Sequence, residues 1–168
     1  MKLAKNLDRL GTETAFSVLA EAKKLEAQGK EMIHLGLGQP DFMTPKHIMD
    51  AAKKAIDDGH HGYVLANGIV ECRQAVSRKI KSLYKKEVSP DRIMIMPGGK
   101  PTMYYAIQMI GEPGAEIVHP TPGFPIYESM INYTGAKAVP YDLTKEKDLK
   151  FDPEKILSSI TDKTRLVI

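Results

Sequence analysis

The sequence predicts an α/β fold in which a mixed or mostly parallel sheet is flanked by helices. From residue 92 onward, short apolar runs that suit strands alternate with amphipathic stretches that suit helices. Glycine and proline residues separate the two kinds of segment, as expected where the chain turns. The composition, with 42% hydrophobic and 27% charged residues, is that of a folded protein.

The first half of the chain is predicted to hold three helices. Apolar residues recur there at helical spacing, and Gly29 and Gly59 follow where the first two helices would stop. Thr44-Pro45 is a pattern typical of an N-cap followed by proline in the first helical turn. The predicted elements are helices over about 13–27, 45–58 and 69–86, an extended run over 32–35 and a glycine loop over 36–41.

The second half is predicted to alternate strands with helices. Asp152-Pro153 repeats the cap-then-proline start for a short helix. The predicted strands are 92–96, 116–119, 137–141 and 165–168. The predicted helices are 101–110, a second that opens at 122–125 and ends near Gly135, and 153–159. Parallel strands joined by helices follow from this order.

Charge, hydropathy and cysteine content bear on the partners and the cellular compartment of the protein. The net charge is only +3, and the one dense lysine cluster, near residues 79–86, is expected to be the solvated face of a helix. We therefore expect no nucleic-acid partner. No apolar run is long enough to cross a bilayer, so we expect no membrane insertion. Cys72 is the one cysteine, which suits a reducing compartment such as the cytoplasm.

Gly98-Gly99-Lys100, between a predicted strand and a predicted helix, is a candidate anion site. Glycine lets backbone amides approach a phosphate, and the helix N-terminus favours negative charge. The alternative interpretation is a tight turn. A P-loop is excluded because Met94 and Pro101 stand where that motif needs Gly and Ser or Thr, and a dinucleotide fingerprint fails at Asp41.

Other candidate residues are ambiguous when taken alone. Phe124 follows a predicted strand, where its ring could stack on a flat ligand or simply pack. Tyr63 lies in a polar loop and is similarly ambiguous, because a loop tyrosine can simply be half-buried with its hydroxyl in water. His60-His61 is a weak metal pattern because adjacent side chains diverge, so we predict no metal site.

The motifs that carry a family resemblance occur in order along nearly the whole chain. They are Gly36-Leu37-Gly38-Gln39-Pro40-Asp41-Phe42 with Thr44-Pro45, Gly62-Tyr63 with Gly68, Pro97-Gly98-Gly99-Lys100, and Thr121-Pro122-Gly123-Phe124 with Tyr127. Each motif is weak, but the set resembles the fold-type I aminotransferases of class I/II, which use pyridoxal 5'-phosphate (PLP). The resemblance implies the N-terminal part of the PLP-dependent transferase fold, of the aspartate aminotransferase type, with an incomplete sheet.

The resemblance also implies roles for individual residues. The loop matching Gly38 contributes a backbone contact to the substrate carboxylate, and Gly98-Gly99-Lys100 gives amides to the PLP phosphate. Phe124 falls where a ring stacks on the pyridine. Tyr63 matches a tyrosine that reaches the cofactor phosphate of the neighbouring subunit. A homodimer acting on an amino acid and a 2-oxo acid is therefore expected.

The resemblance further implies that the Schiff-base lysine is absent from these 168 residues. No catalytic residue is assigned, Lys100 is not given that role, and the chain alone is expected to be inactive. We expect 1–45 to form an N-terminal helix and substrate-loop segment, and 46–168 the first, truncated part of the large PLP-binding domain. A non-catalytic truncated product and a fragment of a related PLP carbon-sulfur lyase are the alternatives.

Overall fold

A computed structural model describes residues 2–11, 14–143 and 150–168. The chain divides into two compact units. One unit comprises Met1–Leu37 together with Gly98–Ile168, and the other comprises Gly38–Pro97. The domain division expected at residues 45 and 46 stays a prediction.

The sheet lies in the first unit and is parallel. It contains β1 (Glu116–Thr121), β2 (Lys137–Asp142) and β3 (Thr164–Val167), in the order β2-β1-β3. In the register, Ile117 of β1 stands opposite Ala138 of β2 and Leu166 of β3. Three of the predicted strands and their parallel arrangement are thereby confirmed.

Two helices cover one face of this sheet and form the core. They are α4 (Gly99–Ile110) and α5 (Ile126–Thr134), which pack on each other. Ile117 and Ile131 are fully buried between the layers. Full burial of an isoleucine side chain contributes about 1.5–3 kcal/mol. The remaining buried members of this core are Ile107, Ala115, Met130 and Ala136.

A polar network joins the strands at the amino end of β1. The Glu116 carboxylate accepts hydrogen bonds from Lys137 Nζ at 2.9 Å and from the Thr161 hydroxyl at 2.8 Å. These two hydrogen bonds stabilise the ionised carboxylate and lower the pKa of Glu116 below its usual value. The network lies at the opposite end of β1 from Phe124, which follows the last residue of the strand.

The N-terminal segment is held against α5. Residues Lys5–Arg9 form a short 3₁₀ helix. The Arg9 guanidinium donates to the carbonyl oxygens of Asn132 at 2.8 Å and Tyr133 at 2.7 Å, at the last turn of α5. A cation beside these carbonyls is favourable because it opposes the negative end of the helix dipole. Helix α1 (Thr14–Ala27) follows in the same unit.

The second unit is helical and is organised around a buried arginine. It contains α2 (Lys46–Asp57), α3 (Val70–Tyr84) and a 3₁₀ turn, Pro90–Arg92. Arg73 is 4% exposed, and its guanidinium donates to the carbonyl oxygens of Gly68 and Pro90 and to the Asp91 carboxylate. These bonds connect the start of α3 to the turn that follows its end.

Two local predictions are wrong. No strand forms over 92–96 within the described part of the chain: Arg92 belongs to the 3₁₀ turn, and the Ile95 amide donates to the carbonyl oxygen of Asn67. An apolar run becomes a strand only where a neighbouring backbone offers a ladder of hydrogen bonds. Helix α2 has Pro45, not Thr44, as its N-cap.

The six predicted helices all form. The last of them, α6, spans Pro153–Ser158, and Asp152 caps it as expected.

In the described ranges, the structure contains no helix with the length and apolar character needed to cross a membrane.

Candidate functional site

Helix α4 begins at the predicted anion-binding segment. Its N-cap is Gly98, with φ +95° and ψ 171°, and Gly99 and Lys100 form its first residues. The first amides of a helix have no acceptor within the helix, and among the described residues no side chain caps this end. The segment therefore presents backbone donors at the positive end of a 12-residue helix.

The space around Gly98 suits an anionic group. A Cβ placed on Gly98 would have no atom within 4 Å among the described residues, so the surroundings of the N-cap are open. Its backbone conformation belongs to a region that only glycine adopts readily. Open space, helix polarity and amide donors together fit a phosphate, and the predicted phosphate role of this segment stays a prediction.

Phe124 lies near this helix start. It follows the carboxyl end of β1, and its ring meets the Tyr127 ring edge to face, with centroids 6.0 Å apart and planes at 87°. A Cβ on the preceding Gly123 would lie 2.4 Å from the carbonyl oxygen of Pro120, so the chain turns here too tightly for a side chain. This turn and the edge contact fix where the half-buried Phe124 ring can be.

Lys100 connects the helix start to the aromatic residues. Its ammonium lies 5.6 Å from the centroid of the Phe124 ring and 5.3 Å from that of Phe16, in α1. The structure thus brings Gly98, Gly99, Lys100 and Phe124 together at the carboxyl edge of the sheet. Ligands of open α/β sheets bind at this edge.

Sequence reasoning missed Phe16. The helix predicted over 13–27 rested on apolar residues at helical spacing, and Phe16 was not singled out as a site residue. An aromatic ring on the outer face of an amphipathic helix is the signal that could have singled it out. The structure shows that this ring faces a lysine of the candidate site.

Gly38 and Tyr63 lie in the second compact unit. Gly38 is exposed, and a Cβ there would have no described atom within 4 Å. Tyr63 lies between α2 and α3, with its side chain fully exposed. Their predicted roles toward a substrate and toward a neighbouring subunit stay predictions.

Metal-ligating side chains do not cluster in the parts of the chain that the structure describes. Over these ranges, no group of three or more His, Cys, Asp or Glu side chains is placed to hold a metal ion. Cys72, on α3, is a free, half-buried thiol. The groups that meet at the start of α4 are backbone amides, one lysine and aromatic rings.

Comparison of the sequence with known proteins identifies the family to which the chain is similar. The family described as "Aminotransferase class I and II" matches residues 30–168. The chain is 34% identical over 168 residues to an aspartate aminotransferase of Bacillus subtilis, covering 100% of this chain and 43% of that protein. It is 35% identical over 166 residues to a (5-formylfuran-3-yl)methyl phosphate transaminase of Methanocaldococcus jannaschii, covering 99% and 43%.

Solved structures agree with the sequence comparison. An aspartate aminotransferase from Thermus thermophilus with maleate superposes with a TM-score of 0.90 at 30% identity, covering 100% of this chain and 44% of that one. An alanine aminotransferase from Pyrococcus furiosus gives a TM-score of 0.89 at 28% identity, covering 99% and 43%. These structures confirm the predicted fold. The chain spans less than half the length of the relatives it matches.

Proposed function

The chain belongs to the class I and II aminotransferases, and from this premise we propose that the whole protein is a PLP-dependent aminotransferase. It moves an amino group between an amino acid and a 2-oxo acid. The observation that carries the proposal is the meeting of the α4 N-terminus with Phe124 at the carboxyl edge of the parallel sheet.

The start of α4 holds the cofactor phosphate. When bound, PLP supplies an electron sink for charge that develops on the substrate. The amides of Gly99 and Lys100 donate to the phosphate, and the positive end of the helix dipole adds to the attraction. Gly98 lets the backbone approach because it has no side chain in the open space beside the N-cap.

Phe124 orients the cofactor ring. A flat heteroaromatic ring stacks on a phenyl ring in an offset arrangement, and such a pair contributes about 0.5–1.5 kcal/mol beyond its buried area. The edge contact with Tyr127 limits rotation of Phe124. Phosphate anchoring and stacking together fix both ends of the cofactor, as orientation of the reacting atoms requires.

Two further roles follow from the family resemblance. Gly38, which is exposed in its loop, contributes a backbone contact to the substrate carboxylate. Tyr63 reaches the cofactor phosphate of a second subunit, so the whole protein is a homodimer with shared active sites. The full exposure of Tyr63 within this chain supports the second role.

Lys100 is a phosphate-segment residue in this proposal and does not bind the cofactor covalently. Its amide lies at the helix start that holds the phosphate, and its ammonium lies over phenyl rings. No catalytic residue is assigned among the residues of this chain. A cytoplasmic location is part of the proposal and is supported by the single free cysteine, Cys72.

The test uses the whole protein reconstituted with PLP. Amino transfer from a panel of amino acids to 2-oxo acids is measured beside pyruvate release from cystathionine. Oxo-acid-dependent transfer supports the proposal, whereas pyruvate release without transfer supports the lyase alternative. Phe124→Leu is expected to weaken PLP binding about two- to tenfold. Phe151→Leu, at an exposed phenylalanine, is the matched control and should bind PLP normally.

A further inference from the structure

The Lys100 side chain joins three separate segments of one compact unit. Its ammonium lies over Phe16 at 5.3 Å and over Phe124 at 5.6 Å. Phe16 belongs to α1, Lys100 to the first turn of α4, and Phe124 to the turn after β1. We refer to these three residues as the lysine clamp.

Both distances fall within the range of cation–π attraction, which extends to about 6 Å from the ring centroid. The attraction arises because the negative face of the phenyl ring meets the ammonium charge. Phe16 is 53% exposed, so the ammonium contacts this ring while remaining hydrated. At exposed sites such a contact changes an equilibrium about two- to fivefold.

We propose that Lys100 is a positioning residue whose side chain couples cofactor phosphate binding to the ordering of α1 through Phe16. The inference rests on the proposed function. One residue offers both groups: the backbone amide of Lys100 lies in the first turn of α4, where the phosphate is proposed to bind, and its ammonium contacts Phe16 of α1.

The direction of the coupling follows from this geometry. A phosphate bound at the α4 N-terminus restricts the backbone of Lys100 and hence the origin of its side chain. A restricted lysine loses less conformational entropy when it contacts Phe16, so α1 becomes better ordered. Because coupling between sites is reciprocal, the contact with Phe16 must strengthen phosphate binding by the same factor.

The experiment uses the whole protein and two probes, PLP and pyridoxal, which lacks the phosphate. Affinities come from spectroscopic titration, and amide hydrogen exchange is followed over residues 15–24 of α1. The test variants are Lys100→Met and Phe16→Leu. Lys23→Met in α1 and Phe151→Leu at an exposed site are matched controls. Lys100→Arg and Phe16→Tyr keep a cation and an aromatic ring and are rescue variants.

The expected result has three parts. PLP, but not pyridoxal, slows exchange in α1 of the unsubstituted protein and of both controls. Lys100→Met and Phe16→Leu each remove this protection and weaken PLP binding about two- to fivefold. The double variant binds PLP no more weakly than Lys100→Met alone, because Lys100→Met already removes the contact with Phe16. Both rescue variants restore the protection.

The opposite results overturn the inference. If the unsubstituted protein binds PLP but the test variants match the controls in affinity and exchange, the clamp does not couple the two sites, while the proposed function stands. If Phe16→Tyr fails to restore protection, the aromatic contact is not the cause. Failure of the unsubstituted protein to bind PLP would overturn both proposals.

Discussion

Replacing Gly98 by alanine tests the phosphate site at its N-cap. With φ +95° and ψ 171°, Gly98 occupies a conformation that is costly for any residue with a Cβ. The cost is about 1–3 kcal/mol. A Cβ would meet no described protein atom within 4 Å, so in the protein without PLP backbone strain, and not a clash, is the effect.

The strain should appear as lost affinity for PLP. If the alanine in the Gly98→Ala variant relaxes to a comfortable conformation, the first amides of α4 turn away from the phosphate, and binding must restore the strained geometry. An energy of about 1–3 kcal/mol corresponds to a roughly 5- to 150-fold weaker affinity. Spectroscopic titration of the whole protein with PLP measures this affinity.

Gly114 provides the matched control. It also has φ +95° and an open Cβ position, but it lies in the turn before β1 and away from the first residues of α4. Gly114→Ala should lower the melting temperature while leaving PLP affinity within about twofold of the unsubstituted protein. Equal PLP affinity in Gly98→Ala and the unsubstituted protein would refute the assignment of this segment to the phosphate.

Three further predictions concern the scaffold. Ile117→Ala should lower the free energy of unfolding by about 2–5 kcal/mol, whereas Ile33→Ala, at an exposed position, should change it by less than about 0.5 kcal/mol; chemical denaturation compares them. The hydrogen bonds to the Glu116 carboxylate lower the pKa of this group. They therefore stabilise the fold at pH values above the usual pKa of a glutamate, and this stabilisation is lost as the pH falls through the lowered pKa. Denaturation at several acidic pH values should therefore show that the free energy of unfolding falls less steeply with falling pH in Glu116→Gln than in the unsubstituted protein. Gly123→Ala would place a Cβ 2.4 Å from the carbonyl oxygen of Pro120, so it should displace the turn and weaken PLP binding. The loss of PLP affinity, measured by titration, should exceed that of an alanine substitution at any exposed glycine outside the start of α4.

Much of the fold could be predicted from the sequence because local signals agreed with the final packing. The strands β1, β2 and β3 are short apolar runs bounded by turn residues, and their core-facing members line up in register. The run over 92–96 has the same character and forms no ladder in the described structure. Pairing depends on a neighbouring backbone, which an isolated run does not reveal.

The candidate site was only partly predictable. Gly98-Gly99-Lys100 could be proposed as an anion site from the sequence alone, because glycines before an amphipathic helix favour anion binding. Phe124 became a strong candidate only through the family resemblance. Phe16 escaped detection because its contact with Lys100 joins residues far apart in sequence, and periodicity reports only which face of a helix is apolar.

Amino transfer by the whole protein tests the central claim most directly. The protein, reconstituted with PLP, is mixed with 2-oxoglutarate and with aspartate or alanine labelled at the amino nitrogen, and labelled glutamate is sought by mass spectrometry. We predict labelled glutamate from at least one donor and a large loss of it in Gly98→Ala at limiting PLP. A folded protein that binds PLP and forms no labelled amino acid from any donor tested would contradict the account.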